Sequence, residues 1–383
     1  MNSKKSFFDI PENITYLNGG YMSPLLKTVA DAGCNGVELK LRPWEFSDTD
    51  FFENRLILKQ RFAQLIDAKK ASFTAIIPSV SYGMANAARN IRFDKGDEIV
   101  VIDEQFPSNV YIWQEVARET NAVIKTVNAP EVKLNRGKLW NEKLLNTISA
   151  KTRVVTIPQV HWADGTLFKL EAIREACDQY GAKLIIDGTQ SIGAYPFSVQ
   201  KIRPDALICG GYKWLLGPYS IGMAYYNETF HEGRPIEENW MNRLHSEDFG
   251  NLVKYQSHYQ PDAGKFNVGE SSNFILVPMF IKAIEQLLEW QPSEIQKYCM
   301  RITKKAIQQI ENNGCFVEVD NFRANHLFGV FLQPGRDLEN IKHRLKEQKV
   351  FVSYRGNAIR ISPNVYNSDN DLLKFTEILT AHL

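Results

Sequence analysis

Seven short apolar runs alternate with amphipathic segments between residues 73 and 226, and few architectures accept that order. The runs are FTAII (73–77), DEIVVID (97–103), AVIKTV (122–127), RVVTIP (153–158), KLIIDG (183–188), DALICG (205–210) and IGMAYY (221–226). Short, mostly β-branched or apolar runs of this kind read as buried strands. Helical patterns occupy 83–92, 108–119, 139–149 and 169–180, between runs. Strand, helix, strand in repetition predicts an α/β fold: a mainly parallel seven-stranded sheet with helices on both faces. The last runs are joined by loops instead of long helices, so an antiparallel strand is expected among them.

The texture changes after residue 230. Residues 231–275 are polar, aromatic and irregular. A helical region over 278–313 is interrupted near Pro292, where the ring cannot continue a helix. FVEV (316–319), LFGVFL (327–332), VFVS (350–353) and AIRIS (358–362) then alternate with helical patterns at 337–347 and 368–381. This reads as a smaller C-terminal α/β domain. The expected division is an N-terminal segment packing across domains (1–20), a large domain (21–275) and a small one (276–383).

A chain of 383 residues is long enough for a large core or two domains. Its net charge of +1 carries neither a nucleic-acid footprint nor a polybasic membrane patch. Cys34, Cys177, Cys209, Cys299 and Cys315 are odd in number and widely spaced, without a CxxC, which points away from a metal or disulfide framework and toward a reducing compartment. The first twenty residues lack the apolar run of a signal peptide, and no stretch of about 18 apolar residues occurs. A cytoplasmic protein is expected.

In parallel sheets, ligands bind beyond the carboxyl ends of the strands. Five loops at that edge carry polar or aromatic side chains: SVSYG (79–83), Phe106 to Ser108, His161 and Trp162, DGTQ (187–190), and Tyr212 with Lys213 in CGGYKWLLGP. Singly each has an ordinary reading. Asp187 would be a turn residue, the serines a helix N-cap, Phe106 core, His161 a satisfied buried histidine and Lys213 a solvated lysine. Together they fit an anionic, planar cofactor. A helix N-terminus suits a phosphate. A carboxylate keeps a ring nitrogen protonated, an aromatic stacks on the ring, and a desolvated lysine forms a Schiff base with an aldehyde. These are the needs of pyridoxal phosphate.

The stretch from VHWADGT to CGGYKWLLGP, with DxxQ followed by KW, resembles the core of the class V aminotransferases, a group of fold-type I pyridoxal-phosphate enzymes. The likeness runs from YLNGGYMSPL to IRISPNVYNSDNDLLKFTEIL. It implies pyridoxal 5'-phosphate as cofactor, an amino acid as substrate and a homodimer with shared sites. By this resemblance Lys213 is the Schiff-base lysine, Asp187 the partner of the pyridine nitrogen and Gln190 the neighbour of the phenolic oxygen. Phe106 stacks on the ring. Val80 and Ser81 bind the phosphate through an amide and a hydroxyl, and Tyr212 reaches it as well. Arg360 clamps the substrate carboxylate, for which a guanidinium has matching paired donors. His161 corresponds to a substrate- or ring-contacting position, and Asn18 borders the substrate. Trp240 and Ser271, the latter in GESSN, approach the phosphate from the neighbouring subunit.

The sequence also departs from relatives. Cysteine desulfurases place a nucleophilic cysteine shortly before the carboxylate-binding arginine, and the interval KVFVSYRGNAIRIS has none. Kynureninases have histidine at the place of Gln190. Arg355 is an additional cation near Arg360. Transamination is the expected reaction, with carbon–sulfur or carbon–selenium lyase or epimerase chemistry as the alternative. A nicotinamide dehydrogenase lacks support, because SVSYG is no glycine fingerprint. A non-catalytic binding protein would not need Lys213, Asp187 and Arg360 together.

Overall fold

The computed structural model describes residues 1–132 and 134–381. A short strand, β1 (Thr15–Tyr16), precedes helices α1 (Lys27–Lys40) and α2 (Glu53–Leu65). The seven apolar runs then all become strands: β2 (Thr74–Ile77), β3 (Glu98–Ile102), β4 (Val123–Val127), β5 (Thr152–Pro158), β6 (Lys183–Asp187), β7 (Ala206–Gly210) and β8 (Gly222–Tyr226). Helices α3 (Val80–Arg89), α4 (Tyr111–Thr120), α5 (Arg136–Thr147), α6 (Leu170–Tyr180) and the single turn α7 (Val199–Ile202) lie among them.

These strands form one sheet in the order β2-β8-β7-β6-β5-β3-β4. Only β8 is reversed, pairing antiparallel with both β2 and β7. Residues 211–221 contain no helix, and a short loop of this kind can return the chain antiparallel but cannot make a parallel crossover. Alternate residues of the strands feed two cores. Val100, Val155, Leu184, Ile186 and Leu207 face one. Ile99, Val101, Val154, Ile185 and Ile208 face the other. Burial on both faces explains the continuous apolar runs. The exception is β4 at the sheet edge, where Val123 and Lys125 are exposed.

In the last third, α8 (Leu276–Trp290) and α9 (Pro292–Asn312) are separated at Gln291, whose φ is 62°. The helix after this break starts with Pro292, whose missing N–H has no partner to lose there. Then come β9 (Phe328–Phe331), α10 (Leu338–Glu347), β10 (Val350–Phe351), β11 (Ser353–Arg355), β12 (Ala358–Ile361) and α11 (Asp369–Thr380). A three-stranded antiparallel sheet has the order β11-β12-β9. VFVS does not form a single strand. It is divided between β10, which pairs with β1, and the first residue of β11.

FVEV is not a strand either. Only Phe316 bridges, to Phe331. The Glu318 carboxylate instead accepts the backbone N–H groups of Gly137 and Val319, tying this segment to the start of α5. Helix termini leave such donors without partners, and this attachment competes with sheet pairing. Among the described residues, no helix is long and apolar enough to cross a membrane.

Candidate active site

The carboxyl ends of β2, β3, β5, β6 and β7 border a cavity of about 280 Å³. Val80, Phe106, Asp187, Gln190, Tyr212 and Lys213 line it. Lys213 is 5% exposed. No hydrogen bond or ion pair engages its Nζ among the described residues. The amine lies 5.1 Å from the centroid of Phe106 and 5.4 Å from that of Tyr212. Burial lowers its pKa to about 8, Arg360 reinforces the shift and Asp187 opposes it.

Asp187 is also buried, and its Oδ1 accepts the Thr189 N–H at 3.0 Å. No cation forms a salt bridge with it among the described residues, and burial raises its pKa. A buried carboxylate and a buried amine thus face one cavity with little local compensation. Such groups are costly unless a ligand completes them.

At the other end, Ser79 caps α3. Its hydroxyl accepts the Tyr82 N–H at 3.2 Å and lies 2.9 Å from the Ser81 hydroxyl. The first amides of a helix have no partner within it and favour an anion. Burial raises the Tyr212 phenol to about 12, which keeps it a hydrogen-bond donor. An anionic ring compound bearing an aldehyde and a basic ring nitrogen therefore fits the residues present.

The glycines before Lys213 have different surroundings. A Cβ on Gly211 would come within 2.5 Å of the Ile221 carbonyl oxygen and 3.0 Å of Phe280. Gly210, which lines the cavity, would make only ordinary contacts. The close approach at Gly211 is therefore to the residue that precedes the reversed strand and to α8.

The other expected site residues lie outside the immediate lining. Arg360 is 1% exposed; its Nη1 donates to the Trp162 carbonyl at 2.8 Å and its Nη2 to Ser353 Oγ at 3.2 Å. Ser353 Oγ donates in turn to Asn18 Oδ1 at 2.6 Å, so Asn18 orients the arginine through a hydroxyl. His161 turns inward. Its Nδ1 lies 2.9 Å from Asp164 Oδ1 and its Nε2 3.1 Å from the Glu104 carbonyl oxygen. Its neighbour Trp162 lines the cavity, with its ring edge-on to Phe106 at 5.4 Å. Trp240 packs among Phe51, Phe52 and Phe249, away from this cavity. Ser271 is buried, and its Oγ has no hydrogen-bond partner among the described residues.

The family model for aminotransferase class V matches residues 53–372. The chain belongs to the class V aminotransferase family. It is a pyridoxal-phosphate enzyme, and pyridoxal phosphate is its cofactor. An uncharacterized aminotransferase, YcbU of Bacillus subtilis, is 26% identical over 315 residues, which span 82% of this chain and 80% of that protein. A probable cysteine desulfurase of Mycobacterium leprae is 27% identical over 58% of this chain, but the match spans only 34% of the relative. The fold is similar to that of the cystine C–S lyase C-DES in complex with its product cysteine persulfide. The TM-score is 0.84 at 17% identity, over 97% of this chain and 98% of the other.

Within this class V site, Gln190 is held by residues that sequence reasoning did not assign. Its Oε1 accepts from Trp214 at 2.8 Å and its Nε2 donates to the Gly20 carbonyl at 3.0 Å. His326 donates from Nε2 to the Gln190 carbonyl at 2.7 Å, while its Nδ1 accepts from Gln296. Burial lowers the His326 pKa to about 4, consistent with this neutral form. Trp214 had a local signal in the KW pair. His326 had none.

The lysine shift gives a pH prediction. Only a neutral amine attacks an aldehyde. In the apoenzyme, the rate of pyridoxal phosphate uptake is expected to rise with pH and level off above about 8, instead of continuing to rise toward the ordinary lysine value of 10.5. Stopped-flow absorbance across this range measures it. A rise that continues to pH 10.5 would contradict the assigned shift.

Proposed function

We propose that this class V enzyme is an aminotransferase acting on α-amino acids, with Lys213 as cofactor anchor and proton carrier. Asp187 would hold the ring nitrogen, Phe106 would cover a ring face and Gln190 would bond the ring oxygen. Val80, Ser81 and Tyr212 would hold the phosphate. Bound there, the cofactor supplies an electron sink for the bond broken at Cα. Arg360 would orient the substrate carboxylate.

The observation that carries this reading is the buried Lys213 amine at the cavity, without a hydrogen bond or ion pair among the described residues; burial lowers its pKa. A base near the working pH can both remove and return a proton. Tyr212 stays protonated, and Asp187, buried at the same cavity, would supply the charge that a protonated ring nitrogen needs. Transamination needs one such base acting at two carbons. A carbon–sulfur lyase is the second reading, supported by the fold shared with C-DES. Epimerisation remains a further alternative. Persulfide formation at a cysteine has little support: Cys315 is buried and desolvation raises its pKa.

The test supplies an isotopically labelled amino acid and an unlabelled 2-oxo acid. Nitrogen appearing in a new amino acid supports the aminotransferase. Release of ammonia and sulfide without transfer replaces it with the lyase. Inversion at Cα alone indicates an epimerase.

We further propose a homodimer in which Trp240 and Ser271 serve the partner's site, because neither lines the cavity of its own chain. Exposed Trp44, Val253 and Tyr255 supply apolar area for such a contact. Sedimentation at twice 43.9 kDa would agree, and at once 43.9 kDa would not. We retain 21–275 as the cofactor domain and 276–383 as the smaller domain, with α8, packed on α1 and α2, as the joint. Five free cysteines, four of them buried, support the proposed cytoplasmic location.

A further inference from the structure

The β11–β12 pair places two arginines on one face. Ser353 lies opposite Arg360, and Arg355 lies opposite Ala358. Residues two apart on a strand share a face, so Arg355 is the diagonal neighbour of Arg360. Trp162 joins them to the cavity. Its carbonyl accepts from Arg360, the Arg355 guanidinium lies 5.3 Å from its ring centroid, and the residue lines the cavity wall.

Among the described residues, neither arginine has an acidic partner. Arg360 bonds only the Trp162 carbonyl and the Ser353 hydroxyl, and Arg355 Nη1 donates to the Tyr354 carbonyl at 2.7 Å. The Nε atoms of both are buried without a hydrogen-bond partner among the described residues. Burial lowers the pKa of each, Arg355 lowers that of Arg360 further, and no carboxylate opposes either shift. Other buried arginines differ: Arg136 lies on Asp164, Arg174 on Asp205 and Arg323 on Asp320. Arg55 also lacks an acid, but it packs on Phe52 away from the cavity.

Arg360 is buried and Arg355 is half-buried against the Trp162 ring, so the pair offers two cationic positions to two anionic groups. One substrate carboxylate supplies only one. We propose that Arg355 receives a second carboxylate, so that the preferred substrates are amino acids with an acidic side chain, such as aspartate or glutamate. This inference rests on the amino-acid reading proposed above. It makes Arg355 the residue that selects the side chain, while Arg360 receives the carboxylate common to all amino acids.

Each acid has a neutral control of nearly the same shape, asparagine for aspartate and glutamine for glutamate. Titration of the holoenzyme, followed by the cofactor absorbance, reads binding without requiring turnover. At least one acid is expected to bind about ten-fold or more tightly than its amide, as a charge-assisted hydrogen bond implies. Arg355→Gln should bring that ratio close to one, and Arg355→Lys should restore part of it. The readout is a ratio, so a general loss of affinity does not imitate the effect. Equal binding of acid and amide by the unaltered enzyme, or a ratio that persists in Arg355→Gln, overturns the inference. A response to alanine or cysteine but not to the acids also overturns it, while leaving the amino-acid reading intact. No response to any amino acid removes both.

Discussion

Replacing Lys213 with alanine is expected to lower turnover by at least about 10²–10⁴-fold, the range that a positioned acid–base group contributes. The larger part of the expected loss comes from combining two tasks in one amine. On the proposed reading Lys213 would both anchor the cofactor and move the proton, so Lys213→Ala would remove both. Borohydride reduction followed by peptide mapping should label Lys213 in the unaltered enzyme and nothing at that position in the variant. A small primary amine added to the solution should restore part of the rate, since the cavity then has room for it. The folded apoprotein should not suffer equally. A buried amine with its pKa lowered to about 8 opposes folding wherever it must carry charge. Between pH 8 and 10.5 the unfolded lysine holds a proton that the folded one has lost, so this group makes stability rise with pH in that window. The alanine variant should lack that rise. Full turnover by Lys213→Ala would refute the assignment.

The second large effect is expected at Arg360 and has opposite signs for binding and stability. Arg360→Met should weaken substrate binding by roughly 2–5 kcal/mol, at least ~30-fold in KM, because a buried charge loses its partner. The substrate-free protein should be unchanged or more stable by about 1–4 kcal/mol. Burial has already lowered this guanidinium to about 9, its Nε has no partner among the described residues and Arg355 repels it. Methionine offers a flexible apolar chain for the same space. Calorimetry of the apoprotein, paired with KM, measures both. A fall in melting temperature would mean that the bonds to Trp162 and Ser353 hold the fold together, and would contradict a residue kept for its ligand.

Much of the sheet edge was legible because strand order need not be known to find it. Each strand of a parallel set ends on the same side, so the residues after the apolar runs converge whatever their order. Val80, Phe106, Asp187, Gln190, Tyr212 and Lys213 reach one cavity for this reason. His161 and Trp162 show where that reasoning stops. They are adjacent in sequence and both reach the Glu104 carbonyl, yet only the indole borders the cavity. The imidazole is taken inward by Asp164 and the Glu104 carbonyl, which leaves the indole at the cavity. No apolar period indicates which of the two turns in.

The sequence by itself determined the seven strands, the break at Pro292 and the edge that carries the candidate chemistry. These depend on local properties: burial of both faces, a proline ring and the direction of the chain. Tertiary structure alone decided which of the last strands is the reversed one, the division of VFVS between two sheets and the use of Glu318 at α5 instead of in a strand. It also brought His326 to the Gln190 carbonyl and placed Arg355 diagonally beside Arg360. Those contacts depend on which distant backbone group satisfies a buried donor and on the register of a strand pair. Local periodicity specifies neither, because many distant partners satisfy the same hydrogen bond until packing selects one.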